Sequence, residues 1–257
     1  MECARKHFPR GLAQPEGRFR FAADALLLAA FAKPPKGAAL AADLGTGCGV
    51  VGLALLLAHP EPLRVLGLDA DAAMAAAAAD NARRLGLAQR FQALALDVAR
   101  VPSALAAESC GLVLANPPYM RPGQGRASAS AARDRALFED AGGLDAFVGA
   151  AAHLARNRAQ VCLVWGAERL AALLAGLAAR RLEPKRLRLV HSRLDGPARL
   201  ALVEARKNGG PGLEAEPPLA LYQGRGPETR LSAQALDFCP WLACNAGPRG
   251  ATPDPAP

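Results

Sequence analysis

AALAADLGTGCGVVGLALLLA, residues 38–58, decides how the rest of the chain is read. A short apolar run ends at Asp43, a glycine-rich turn follows, and a second apolar run opens at Cys48. The first run predicts a strand over about 38–43 and the second a helix over about 48–58. Gly45, Gly47 and Gly49 permit positive φ and let a ligand approach the backbone of the turn around Thr46. The spacing is GxGxG, not the GxGxxG of dinucleotide sites.

Working outward, strands and helices alternate. LRVLGLD (63–69), FQALALDV (91–98), GLVLA (111–115) and AQVCLVW (159–165) read as strands. Helices are expected over 25–32, capped by Asp24 and ended by Pro34-Pro35, and over 71–85, 142–156 and 167–181. KRLRLVHS (185–192) and ARLALVEA (198–205), split by Asp195-Gly196-Pro197, read as an antiparallel hairpin. The pattern predicts an α/β, doubly wound, Rossmann-like sheet of seven mostly parallel strands with that hairpin at its C-terminal end. Residues 1–36 form an N-terminal segment with its own helix, 37–207 the core domain, and 208–257 an appendage with a disordered tail.

Hydrophobic residues make up 51% of the 257, enough for a sizeable core, and much of that share is alanine, which predicts thin, closely packed helices. The formal net charge of +8 favours polyanionic partners. Residues 180–207 hold nine Lys or Arg against three Asp or Glu. The six cysteines form no CxxC pair and no Cys/His zinc spacing, so no metal site is expected, although Cys239 and Cys244 are close enough to leave a metal or disulfide role open. This usage fits a reducing cytoplasm. ALLLAAFA (25–32) has the look of a short export signal, but Asp24 before it and Lys33-Pro34-Pro35-Lys36 after it argue against cleavage, and no run reaches membrane-spanning length.

Three successive predicted strands end in a carboxylate. Asp43 can meet a cationic ligand group, Asp69 can take both hydroxyls of a ribose, and Asp97 can accept from an adenine amino group. The fourth runs into Asn116-Pro117-Pro118-Tyr119. Two prolines fix φ and remove two backbone donors, so the side-chain oxygen of Asn116 and the carbonyl of Pro117 can both accept from one exocyclic NH2. Such bonds free the nitrogen lone pair for attack on a sulfonium methyl, and Tyr119 can stack on a flat substrate. GxSxG, Walker-lysine and HExxH patterns are absent, and the four histidines are scattered.

DLGTGCG (43–49), Asp69, Asp97 and NPPY resemble the motifs of class I S-adenosyl-L-methionine-dependent methyltransferases acting on amino nitrogens. RFRFAADALLLAAFA (18–32), ADNARRLGL (79–87), VHSR (190–193), LVEARKNG (202–209) and PPLALY (217–222) resemble the bacterial family that methylates N6 of adenosine 37 in the valine tRNA. The resemblance covers roughly residues 17–230. It implies that Asp43, Gly45, Thr46, Gly47, Gly49, Asp69, Asp97 and Asn116 hold the cofactor, that Asn116, Pro117, Pro118 and Tyr119 hold the target base, and that the Phe19–Asp24 segment closes over the cofactor.

The expected partner is tRNA, with phosphate contacts from Arg121, Arg126, Arg133 and Arg135 and from the basic 180–207 region, in a monomer without membrane attachment. Three alternatives stay open: a protein glutamine-N5 methyltransferase acting on a release factor, an rRNA guanine-N2 methyltransferase, and an inactive RNA-binding module. Enzymes of the first kind usually carry a helical domain before the glycine turn, where this chain has 42 residues. The loop after NPPY (ASASAARDRALFED) and FCPWLACN in the tail depart from the family pattern.

Overall fold

The computed structural model describes residues 5–36, 39–59, 63–117 and 141–245. Strands β1 (Ala39–Leu44), β2 (Leu63–Asp69), β3 (Phe91–Ala95), β4 (Cys110–Ala115) and β5 (Ala155–Gly166) pair in parallel in the order β3-β2-β1-β4-β5. β7 (Ala198–Lys207) is antiparallel to β5 and is followed outward by β6 (Leu182–His191). Two-residue strands β8 (Glu214–Ala215) and β9 (Leu219–Ala220) then extend the edge, so the seven expected strands become nine. β10 (Tyr222–Gln223) and β11 (Arg230–Leu231) form a separate small hairpin.

Helices cover both faces, as a doubly wound sheet requires. On one face lie α1 (Ala23–Phe31), α2 (Val50–Ala58) and α3 (Ala72–Arg84). The one-turn α4 (Val101–Ala104), α5 (Ala141–Leu154) and α6 (Leu170–Ala179) cover the other. The central strand serves both cores: Leu112 and Leu114 join the first, Val113 and Ala115 the second, all fully buried. This is the period-two alternation of a strand covered on both sides, which is why GLVLA is apolar throughout. Alanine permits close approach here: α3 buries Ala75, Ala77, Ala78 and Ala82 beside Met74.

The C-terminal appendage is integral to the first core. α7 (Ala233–Phe238) and the turn after it bury Ala235, Cys239 and Leu242 there. The Trp241 ring meets Phe8 edge-on at 5.4 Å, and the thiols of Cys239 and Cys244 point at the carbonyls of Leu26 and Phe8. Both thiols are free, so this pair joins the two ends of the chain by packing rather than by a disulfide.

Of the expected boundaries that move, three bear on the site and the sheet. α1 begins at Ala23, so Asp24 lies inside its first turn, where its carboxylate accepts from the Ala25 amide at 2.7 Å. β3 ends at Ala95, and Asp97 sits two residues beyond it as the cap of a short 3-10 turn. β5 starts at Ala155, four residues early, because it takes in a polar bulge. No helix among the described residues is long and apolar enough to cross a membrane.

Candidate active site

The strand order reverses between β1 and β4, and a sheet of this kind opens its ligand crevice at that point, beyond the carboxyl ends of the strands. Leu44 pairs with Ala115, so the two strands deliver Gly45 and Asn116 to the same place. Asn116 is half-buried and Pro117 buried. Pro118 and Tyr119 lie outside the described residues, as do Arg121, Arg126, Arg133 and Arg135.

Gly45, Gly47 and Gly49 have φ of +67°, +58° and +87°, a region costly to any residue with a Cβ. The turn is fixed from beneath. The Thr46 hydroxyl donates to Asp43 Oδ2 at 2.6 Å, the Gly52 amide donates to the same oxygen at 3.1 Å, and the Thr46 amide donates to the Leu68 carbonyl at 2.8 Å. Asp43 and Thr46 are therefore turned into the protein, 1% and 2% exposed, and both shape the turn. Burial pushes the Asp43 carboxyl up to about 6, against the pull of its Thr46 and Gly52 hydrogen bonds.

Asp69 stands at the next strand end. Its Oδ2 accepts from the Gly47 amide at 2.8 Å and its Oδ1 from the Asp71 amide at 2.9 Å. Burial raises its pKa in spite of these bonds. The Leu96 amide donates to the Asp69 carbonyl at 2.8 Å, which sets the exposed Asp97 next to Asp69 at the crevice edge, with Oδ1 accepting from the Ala99 amide at 2.9 Å. Asp43, Gly45, Thr46, Gly47, Gly49, Asp69, Asp97, Asn116 and Pro117 thus converge on one sheet edge.

Residues 21–143 match the family model of the methyltransferase small domain. Over 140 residues the chain is 36% identical to a release factor glutamine methyltransferase from Cereibacter sphaeroides, an alignment covering 51% of this chain and 47% of that one. The chain therefore spans about half the length of this curated relative. Among solved structures, a predicted O-methyltransferase from Agrobacterium tumefaciens superposes with a TM-score of 0.67 at 22% identity, over 85% of this chain and 96% of that one. A geranyl diphosphate C-methyltransferase from Streptomyces coelicolor A3(2) does so at 0.52 and 14% identity, over 72% and 78%. The architecture is the class I methyltransferase fold.

Several residues that build this site lie outside the glycine turn, the strand-end carboxylates and the NPPY corner. Asn81, 1% exposed, donates to the carbonyls of Ala13 and Cys48 at 3.0 and 2.9 Å and accepts from the Ala13 amide at 2.8 Å. It ties the N-terminal segment to the glycine turn. The sequence signal is a lone amide on the buried stripe of α3, in register with Met74 and Ala78. Farther along the N-terminal segment, Arg18 pairs with Asp71 at 2.7 Å, two residues after Asp69, and the neighbouring Phe19 is exposed. Phe147 of α5 backs the turn, since a Cβ on Gly45 would come within 3.1 Å of its ring.

Part of the basic 180–207 region is engaged within the protein. Arg186 contacts Glu204 and Glu216 at 2.9 and 3.0 Å, donates to the Phe31 carbonyl at 2.7 Å and lies over the Phe31 ring. Arg188 pairs with Glu216 and Arg180 with Asp145. Lys185 and Lys207 donate to backbone carbonyls. These five of the nine cations are engaged within the fold, which narrows the expected phosphate contacts of 180–207 without excluding them.

Four buried cysteines, Cys48, Cys110, Cys162 and Cys239, offer no thiolate nucleophile. Burial pushes Cys48 and Cys239 up to about 11 and raises Cys110 and Cys162 as well.

Proposed function

We propose that this protein is an S-adenosyl-L-methionine-dependent N-methyltransferase whose acceptor is the N6 amino group of an adenine in tRNA, position 37 of the valine tRNA by resemblance. The observation that carries the N-methyl reading is the placement of Asn116-Pro117 directly beyond β4, opposite Gly45 at the strand-order reversal.

The cofactor is S-adenosyl-L-methionine, which supplies a methyl group on a sulfonium sulfur when bound. The residues present fit it. Three glycines at positive φ leave the turn without side chains toward the ligand, and Asp69 has a carboxylate at the strand end where a ribose diol is taken. Asp97, exposed at the neighbouring strand end, is placed to accept from an adenine amine. Arg18 and Asp71 hold the N-terminal segment against this side of the crevice.

Asn116 and Pro117 act on the acceptor. The amide oxygen and the proline carbonyl each accept from one hydrogen of an NH2 group, which holds the nitrogen lone pair out of conjugation and aims it into the crevice. The product ammonium is acidic and loses its proton to water, so no strong base is required. Rate comes from positioning and exclusion of water. An adenine in a loop leaves its stack at a lower cost than one in a duplex.

Two further observations favour RNA as the partner: the net charge of +8 and the flanking segments that resemble the tRNA family. A second reading, a protein glutamine amide as acceptor, is favoured by the 36% identity to the release factor enzyme. Methyl transfer from radiolabelled cofactor to bulk RNA, ribosomes and release factors in parallel, followed by nucleoside and amino-acid analysis, separates the two. Label in 6-methyladenosine from small RNA supports the first. Label in N5-methylglutamine with none in RNA overturns it.

A further inference from the structure

A cationic cleft lies at the opposite edge of the sheet. β4 and β5 run in parallel, so the start of each strand lies away from Asn116, about 20 Å off for a six-residue strand. A cleft of about 450 Å³ opens there. Four cations line it, Lys33, Arg156, Arg158 and Arg206, together with the amides of Asn157 and Gln160 and no carboxylate.

This cleft is built by an irregularity in β5. Cys110 pairs with Ala155 and Leu112 with Gln160, so two steps on β4 face five on β5. The extra residues are Arg156-Asn157-Arg158, and Arg158 adopts φ +64°, a conformation uncommon for a side chain of its size. The bulge is pinned to the end of β7. Arg158 Nη1 donates to the Asn208 carbonyl at 3.3 Å, and Asn208 Nδ2 donates to Asn157 Oδ1 at 3.0 Å. Opposite, the Arg156 guanidinium lies over bare backbone, because a Cβ on Gly111 would come within 3.2 Å of its Nη2 and 3.4 Å of Pro35 Cγ.

Among the described residues most of these charges lack a carboxylate partner. Arg180, Arg186, Arg188 and Arg225 all have a carboxylate partner. Among the described residues Lys33 and Arg156 have none. Arg206 reaches only Glu204, at 3.9 Å, and that carboxylate already accepts from Gln160 and Arg186. Like charges gathered in a concave site repel one another and raise the local concentration of anions. Guanidinium forks match phosphate oxygens in particular.

We propose that this amino-edge cleft binds phosphate, as two adjacent phosphoryl groups of one ligand. The ligand is either a free diphosphate-bearing molecule or successive phosphodiesters of an RNA strand. The site is separate from the methyl-transfer crevice and does not depend on which acceptor that crevice takes.

The test uses the full chain and two probes, inorganic pyrophosphate and a short single-stranded RNA, by titration calorimetry at low salt. Three proteins are compared: wild type, the double variant Arg156→Gln/Arg158→Gln, and Lys33→Gln, which lies outside the strand and serves if the double variant is unstable. Affinity for S-adenosylhomocysteine checks that each variant is folded. Saturable pyrophosphate binding that weakens tenfold or more in the variants, with the homocysteine analogue bound as in wild type, supports the site and a free diphosphate ligand. The same loss on the RNA arm assigns it to phosphodiesters. Unchanged behaviour of both probes in both variants overturns it.

Discussion

The carboxylate of Asp69 accepts a hydrogen bond from the backbone amide of Gly47 at 2.8 Å, across the mouth of the glycine turn. One bond thus joins the two strand ends that border the cofactor side of the crevice. The carboxylate keeps further lone pairs, which the proposed reading assigns to a ribose diol, while Gly47 is held at its positive φ.

Replacing Asp69 by Ala is therefore expected to affect binding more than folding. Affinity for S-adenosylhomocysteine should fall at least tenfold, about 1.4 kcal/mol or more. The melting temperature should move by only a few degrees. Calorimetric titration of the variant checks both, and an unchanged Kd contradicts the role.

Asp43 makes stability depend on pH in a definite direction. Its folded pKa of about 6 lies above its ordinary 3.8, so between these values the folded chain holds the proton and the unfolded chain does not. The favourable contribution is complete below about pH 4 and is lost as pH rises through 6, about 3 kcal/mol in all. Asp69 shifts in the same direction. Urea denaturation of wild type and Asp43→Asn from pH 4 to 7 should show the variant gaining on wild type up to pH 6 and level thereafter. A difference independent of pH contradicts the shift.

Asn81 makes three hydrogen bonds in the interior, and removing it leaves the Ala13 amide and the carbonyls of Ala13 and Cys48 without that partner. Asn81→Ala should cost about 2–4 kcal/mol. Hydrogen exchange should then show lost protection in residues 12–14 and in the glycine turn together. Loss at only one of these segments means that the side chain does not couple them.

Much of the fold was legible because the physics was local. Alternating apolar runs and caps predicted β1, β2, β4, β6, β7 and all the long helices to within a few residues. Asp43, the three glycines, Asp69 and Asn116 stood out because strand ends of such a sheet are where ligands meet it. The remainder depended on contacts between distant residues. Ala155 and Arg156 read as the end of a helix over 142–156, and only pairing with β4 turns 155–158 into a strand with a bulge. Counting charges in 180–207 could not reveal that Glu204 and Glu216 neutralise Arg186 and Arg188. FCPWLACN has no periodicity, and its role appears only where Trp241 meets Phe8.

The central claim is that the corner beyond β4 presents acceptor oxygens to an amino group beside the cofactor. Asn116→Ala tests it most directly, with cofactor binding and single-turnover methyl transfer measured on the same preparation. The variant is expected to bind S-adenosylhomocysteine within about twofold of wild type and to lose at least about 100-fold in transfer rate, since it removes an acceptor that orients the reacting nitrogen. Wild-type turnover in that variant contradicts the account.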